Sequence, residues 1–230
     1  MKTVDSVVIV SGGLDSVTLL YHLMKQKKMS PAVITFAYGQ KHSKEVDYAK
    51  INVAELGCAE HQVLDMLPLL PVFASSALIN EHEEIPDVAE VMGDPQPPTY
   101  VPNRNMIFLA LAAAYAETQG VQHVYYGSQR HDIYGYWDTT PAFLENLNYI
   151  YGLNRKSPIQ IKAPFVNYSK TDIVKLGMEM GMDYGKTWSC YAGQALACGR
   201  CSTCAERLKA FADLGLTDPL PYAFNTHSGT

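Results

Sequence analysis

Ser11-Gly12-Gly13-Leu14-Asp15-Ser16 stands between an apolar β-type run at residues 7–10 and a helical run that starts at Val17. Glycines at a strand-to-helix turn let the backbone come close to a ligand and aim N–H groups at it. The helix start that follows adds unsatisfied N–H donors and the positive end of the helix dipole. That combination is a cradle for phosphate and points to a nucleoside triphosphate as substrate. A bare pair of glycines reads better as an ordinary βα turn, with Gly, Asp15 and Ser16 as turn and capping residues. The whole hexapeptide, placed between a first strand and a first helix, favours the cradle. It is not a Walker A loop, because no Gly-Lys-Ser/Thr follows.

Outward from this turn, strand-like and helix-like segments alternate. A helix is expected over 17–25 and a second strand over 32–37. The helix expected over 42–56 places Val46, Ala49, Val53 and Leu56 on one face and ends at Gly57. A short third strand falls at 62–64. Residues 71–102, rich in Pro, Ser, Asp and Glu, read as a long excursion or lid. The apolar run 103–118 reads as a central, buried helix, followed by a fourth strand at 121–126. A helix over 142–151, a fifth strand over 159–163, a capping box at Ser169-Lys170-Thr171-Asp172 before a helix to Met180, and a last helix over 204–214 complete the pattern. It predicts an α/β fold: a doubly wound, mostly parallel five-stranded sheet with a small C-terminal zinc-binding helical segment. The expected division is 1–185 for the nucleotide domain and 186–230 for the segment packed on it. Ligands of such sheets lie at the carboxyl ends of strands, which singles out residues 11–16, 38–42, 127–138 and 164–170.

A net charge of −5 with scattered Lys and Arg argues against stable nucleic-acid binding. The run at 106–116 is too short to span a membrane. Asp5 interrupts any secretory pattern near the first residue, so a cytoplasmic location is expected. Four of the five cysteines fall within 190–204, at Cys190, Cys198, Cys201 and Cys204. The spacing C-x7-C-x2-C-x2-C lets four thiolates turn toward one ion, and a closed tetrahedral Zn²⁺ site with a structural role is the expectation. An iron–sulfur cluster takes the same ligand set and is the competitor. Cys58 stands apart and reads as a small buried apolar residue.

The hexapeptide resembles the SGGxDS signature of the PP-loop ATP pyrophosphatases, which split ATP between the α and β phosphates. Three further segments narrow the resemblance. They are Phe36-Ala37-Tyr38-Gly39-Gln40-Lys41-His42, Thr99-Tyr100-Val101-Pro102-Asn103-Arg104-Asn105 and Thr187-Trp188-Ser189-Cys190-Tyr191. With the cysteine spacing, the ordered set is similar to the 7-cyano-7-deazaguanine synthase family (ExsB/QueC) over nearly the whole chain. The resemblance implies an ATP-dependent ligase of deazapurine (queuosine) biosynthesis. Such an enzyme activates a 7-carboxy-7-deazaguanine with ATP and Mg²⁺, admits ammonia to give an amide, then activates the amide and eliminates to a nitrile. It also implies a homodimer.

By the same resemblance, ATP is held by Val10, Ser11, Gly12, Gly13, Leu14, Asp15, Ser16, Val17 and Thr18. Asp15, Ser16, Lys41, His42, Arg104 and Lys170 are implied in catalysis, although a turn role for Asp15 and surface or helix-end roles for the basic residues stay open. Substrate contacts are implied for Tyr38, Gln40, Asp132, Tyr136, Trp137 and Asp138. Two departures from the family pattern stand out. Ala37 replaces an Asp in the second segment, and residues 130–140 lose the family's serine, proline, cysteine and arginine. Arg130 and His131 are the remaining basic groups there. That altered segment leaves two variants of the chemistry open: a stop at the amide, or joining of the deazaguanine to another amine such as a protein N-terminus. PP-loop tRNA thiolation and a nucleotide-binding sensor or scaffold are the more distant alternatives.

Overall fold

Residues 7–9 and 32–36 are almost unbroken apolar runs because the strands they form are covered on both faces, the condition of a parallel sheet. The computed structural model describes residues 4–39, 44–80, 82–130 and 136–223. In chain order the elements are β1 (Ser6–Ile9), α1 (Leu14–Tyr21, continued by a wider turn over His22–Gln26), β2 (Pro31–Ala37), α2 (Lys44–Leu56) and β3 (Glu60–Asp65). The short α3 (Leu70–Phe73) and α4 (Val88–Val91) follow, then α5 (Arg104–Gln119), β4 (His123–Tyr125), α6 (Pro141–Gly152), β5 (Gln160–Lys162), α7 (Lys170–Glu179) and α8 (Ser202–Asp213).

All five strands are parallel, in the order β3-β2-β1-β4-β5. Side chains along each strand alternate between the two layers. Val7 and Ile34 pack with Phe108, Leu109 and Ala112 of α5 and Leu147 of α6. Val8 and Val33 pack with Leu14 and Val17 of α1, Val53 of α2, Ile173 of α7 and Phe211 of α8. The chain leaves β1 for β2 on one side and returns for β4 on the other. A crevice therefore opens at the carboxyl ends of β1 and β4.

β4 and β5 are shorter than the expected 121–126 and 159–163, and three regions differ further from the sequence reading. β3 runs from Glu60 to Asp65 rather than over 62–64, because an edge strand tolerates polar Glu60 and His61 that no hydrophobic pattern reveals. α5 is buried on one face only: Phe108, Leu109, Ala112, Ala113 and Ala116 face the sheet, while Ala110, Leu111 and Ala114 face outward. Outward alanine and leucine had hidden its amphipathic period. The 71–102 excursion is anchored rather than detached. Phe73 and Leu78 enter the core, Ala77 donates to the Pro98 carbonyl at 2.8 Å, and Val88 donates to the Arg200 carbonyl at 3.1 Å.

α8 is fixed by a buried ion pair. Arg207 donates Nε to Asp218 Oδ2 at 2.6 Å and Nη2 to Oδ1 at 2.9 Å, and its Nη1 reaches Thr187 Oγ1 at 2.7 Å. Tyr222 and the Leu220 N–H also donate to the Asp218 carboxylate, so all of its acceptor sites are used. Arg207→Met is expected to cost about 3–5 kcal/mol, since it strands a buried carboxylate. Denaturant titration should show this, and the double variant with Asp218→Leu should recover a large part of the loss. A loss under about 1 kcal/mol in the single variant would contradict the pair's role.

Candidate active site

The turn after β1 has the shape its glycines imply. Gly12 has φ +95°, and a Cβ there would lie 1.9 Å from the Glu45 carbonyl oxygen of α2, so only glycine fits. Its carbonyl accepts from the Trp188 N–H at 3.1 Å, tying the turn to the loop before the cysteines. Gly13 caps α1 without any side-chain hydrogen bond, which leaves the first-turn N–H groups without a side-chain cap. Ser11 and Ser16 hydroxyls lie 3.1 Å apart, and the Ser11 N–H donates to Ser16 Oγ at 3.1 Å. The turn is thus organised around two hydroxyls and one end of a helix.

A cavity of about 240 Å³ opens over this turn. Of the residues implied in ATP binding, Val10, Ser11, Gly13, Leu14, Asp15 and Ser16 line it. Gly12 supports it from behind. Val17 and Thr18 do not reach it: Val17 is in the core and Thr18 Oγ1 bonds the Leu14 carbonyl at 2.8 Å, because one helical turn carries both to the face packed on α7.

Lys170, the first residue of α7, projects into the cavity because Ser169 caps that helix in a reciprocal box with Asp172. Its Nζ donates to Asp15 Oδ2 at 2.6 Å and lies 3.9 Å from Glu206 Oε2 of α8. The other Asp15 oxygen is buried with no hydrogen-bond partner. On the β2 side, Arg104 Nη1 donates to the Tyr38 hydroxyl at 3.1 Å, and both residues line the cavity. On the β4 side, Gly127 passes so close that a Cβ would lie 3.2 Å from the Ser16 nitrogen.

Tyr136, Trp137 and Asp138 sit at the rim or beneath it. Tyr136 stacks on Tyr100 with ring centres 6.1 Å apart, and Trp137 Nε1 donates to the Tyr100 hydroxyl at 3.2 Å. Asp138 is buried against Asn105 and near Arg104; burial pushes its carboxyl above the usual range, and the Arg104 charge and Asn105 pull it back. Thr139 rather than Asp138 reaches the cavity wall. Arg130 is exposed, with its N–H on the Tyr168 carbonyl. Gln40, Lys41, His42, His131 and Asp132 lie outside the described residues.

Sequence reasoning missed Glu206, Gln129 and the wall formed by Ser189, Tyr191 and Thr203. Glu206 follows Cys204 by two residues, and only its place in the helix that the cysteines begin would have drawn attention to it.

The four cysteines converge. Cys190, Cys198, Cys201 and Cys204 are buried with all Sγ atoms within 4.8 Å of one another. Backbone N–H groups of Cys198 and Cys201 point at sulfur, at 3.2 Å and 3.4 Å. Hydrogen bonds between the sulfurs couple the four thiols to one another, so none of them ionises independently of its neighbours. Four thiolates about 2.3 Å from one ion would be just under 4 Å apart, so modest closure makes a tetrahedral site. Cys58 is half-buried and packs on Met24 sulfur at 3.3 Å. No helix among the described residues is long and apolar enough to cross a membrane.

Comparison with known proteins adds the family. The model described as "Queuosine biosynthesis protein QueC" matches residues 5–215. The chain belongs to the QueC family. Among curated QueC relatives, the 7-cyano-7-deazaguanine synthase of Psychromonas ingrahamii is 41% identical over 94% of this chain and 96% of its own length. That of a Nostoc species is 41% identical over 95% of this chain and 97% of its own. Among solved structures, the tRNA thiolase NcsA of Methanococcus maripaludis aligns with 93% of the chain and 67% of its own, at 15% identity and a TM-score of 0.49.

Proposed function

We propose that this protein is an ATP-dependent carbon–nitrogen ligase that converts 7-carboxy-7-deazaguanine and ammonia into 7-cyano-7-deazaguanine. The observation that carries the reading is the cavity in which the 11–16 turn, Lys170 and the β4 end meet, in a chain of the QueC family. A ring carboxylate is a poor electrophile until its oxygen carries a good leaving group. A carboxylate oxygen attacks the α-phosphorus of ATP, and the bond to pyrophosphate breaks. Ammonia then adds to the acyl carbon; AMP leaves and a proton is released, giving the amide. The amide oxygen attacks a second ATP in the same way, and loss of the remaining N–H protons with departure of AMP leaves the nitrile.

The residues fit these steps. First-turn N–H groups of α1 and the Ser11 and Ser16 hydroxyls are suited to the phosphates that leave as pyrophosphate. Lys170 adds a positive charge, kept in place by Asp15 and Glu206. The buried, unbonded Asp15 oxygen suits a hard cation, and Mg²⁺ carried in with ATP would neutralise phosphate charge there. Arg104, fixed on Tyr38, is suited to an anionic group on the β2 side. Four thiolates fill a zinc coordination sphere and leave no position for water, so we assign Zn²⁺ a structural role in the 186–230 segment. A cytoplasmic homodimer belongs to the same proposal, supported by exposed Leu67, Leu69 and Val72 beside one another.

Incubation with the deazaguanine acid, ATP and ammonium, read by mass spectrometry, tests the reading. The nitrile is expected with two AMP for each product molecule. An amide with one AMP would overturn the nitrile outcome, and absence of AMP would overturn the ligase.

A further inference from the structure

Gln129 is 2% exposed, lines the cavity just past β4, and its Oε1 has no hydrogen-bond partner. An amide oxygen held away from water without a donor is costly, so its place in the wall calls for a ligand that brings an N–H. The surrounding backbone is fixed on both sides. Ser128 Oγ donates to the Thr139 carbonyl at 2.9 Å, and the Arg130 N–H donates to the Tyr168 carbonyl at 3.1 Å. The side chain is therefore presented by a segment tied down by the residues on either side of it.

The ligand part it meets follows from topology. In doubly wound sheets the nucleoside of a nucleotide held at the β1–α1 turn lies over the end of β2. Here that end, with Phe36 and Tyr38, lines the cavity. The β4 end is left to the acceptor that the nucleotide activates. A carboxylate offers no N–H donor, whereas the pyrimidine ring of a guanine-type base offers an amino group and a ring N–H. We propose that Gln129 is a specificity-determining residue whose Oε1 accepts from the amino or imino edge of the deazapurine acid. This rests on the substrate proposed above.

Calorimetric titration of wild type, Gln129→Met and Gln129→Leu with 7-carboxy-7-deazaguanine and, separately, with ATP tests it. Both variants preserve side-chain volume approximately and remove the acceptor. The Kd for the acid should rise about ten- to a hundredfold, and the Kd for ATP should change less than about twofold. The melting temperature should hold or rise, since a buried polar atom without a partner is removed. Equal affinity of variants and wild type for the acid overturns the assignment of Gln129 alone. A loss confined to ATP overturns it too, by placing the adenine at the β4 end. Absence of saturable acid binding by the wild type overturns the substrate, and the Gln129 proposal with it.

Discussion

Asp15→Ala should lower AMP formation by about two to three orders of magnitude, the range seen when one preorganised charge-stabilising group is removed from an active site. Asp15 is the second residue of α1, one position past Leu14 and the Gly13 cap, and its two oxygens do different things. One holds the Lys170 ammonium at 2.6 Å; the other is buried and unbonded. The substitution removes the anchor of the Lys170 ammonium and the one carboxylate carried by residues 11–16. Folding should be little affected, because Lys170 keeps Glu206 at 3.9 Å and the core residues Leu14 and Val17 are untouched. Pyrophosphate release with saturating deazaguanine acid measures the effect, and a melting scan controls for folding. Turnover within about tenfold of wild type would remove Asp15 from the phosphate site.

Cys201→Ser should release most of the bound metal and lower the melting temperature by about 10 °C, the shift that a few kcal/mol produces in a chain of this size. Activity should fall as well. Cys201 caps α8, and α8 carries Thr203 and Glu206 to the cavity wall. Thr203 Oγ1 donates to the Ser189 carbonyl at 2.6 Å, and Trp188, one residue before Ser189, donates to the Gly12 carbonyl at 3.1 Å. Loosening the cluster therefore loosens both the wall and the back of the phosphate turn. Metal analysis of the purified protein checks stoichiometry and separates zinc from iron. Unchanged metal content together with an unchanged melting curve would show that the cysteines hold no ion.

Much of the scaffold was legible in order. The apolar runs of β1 and β2, the glycines at 12 and 13, the Ser169–Asp172 capping box and the cysteine spacing are local signals, each with a local physical cause. The edge strand β3 was half hidden because its polar residues face solvent, and the one-sided burial of α5 was hidden by alanines on its outer face. Of the cavity, the 11–16 turn, Tyr38, Arg104 and Lys170 were legible in the sequence, whereas Gln129, Glu206 and the wall of Ser189, Tyr191 and Thr203 were not. Thr18 sits in the same run as Ser16, yet the helix turns it into the core, where its hydroxyl lies 3.1 Å from that of Tyr184.

The sequence alone determined the parallel α/β scaffold, the glycine turn after β1 and the cluster of four cysteines, because strand periodicity, backbone freedom and residue spacing act over a few residues. Which distant residues share the cavity was decided by the tertiary structure. Lys170 meets Asp15 across 155 positions, Trp188 donates to Gly12, and α8 brings Glu206 to 3.9 Å from Lys170. Those meetings depend on how α7 and α8 pack on α1 over the sheet, a long-range result of burying Ile173, Val174, Ala210 and Phe211 in one core. No spacing along the chain encodes them.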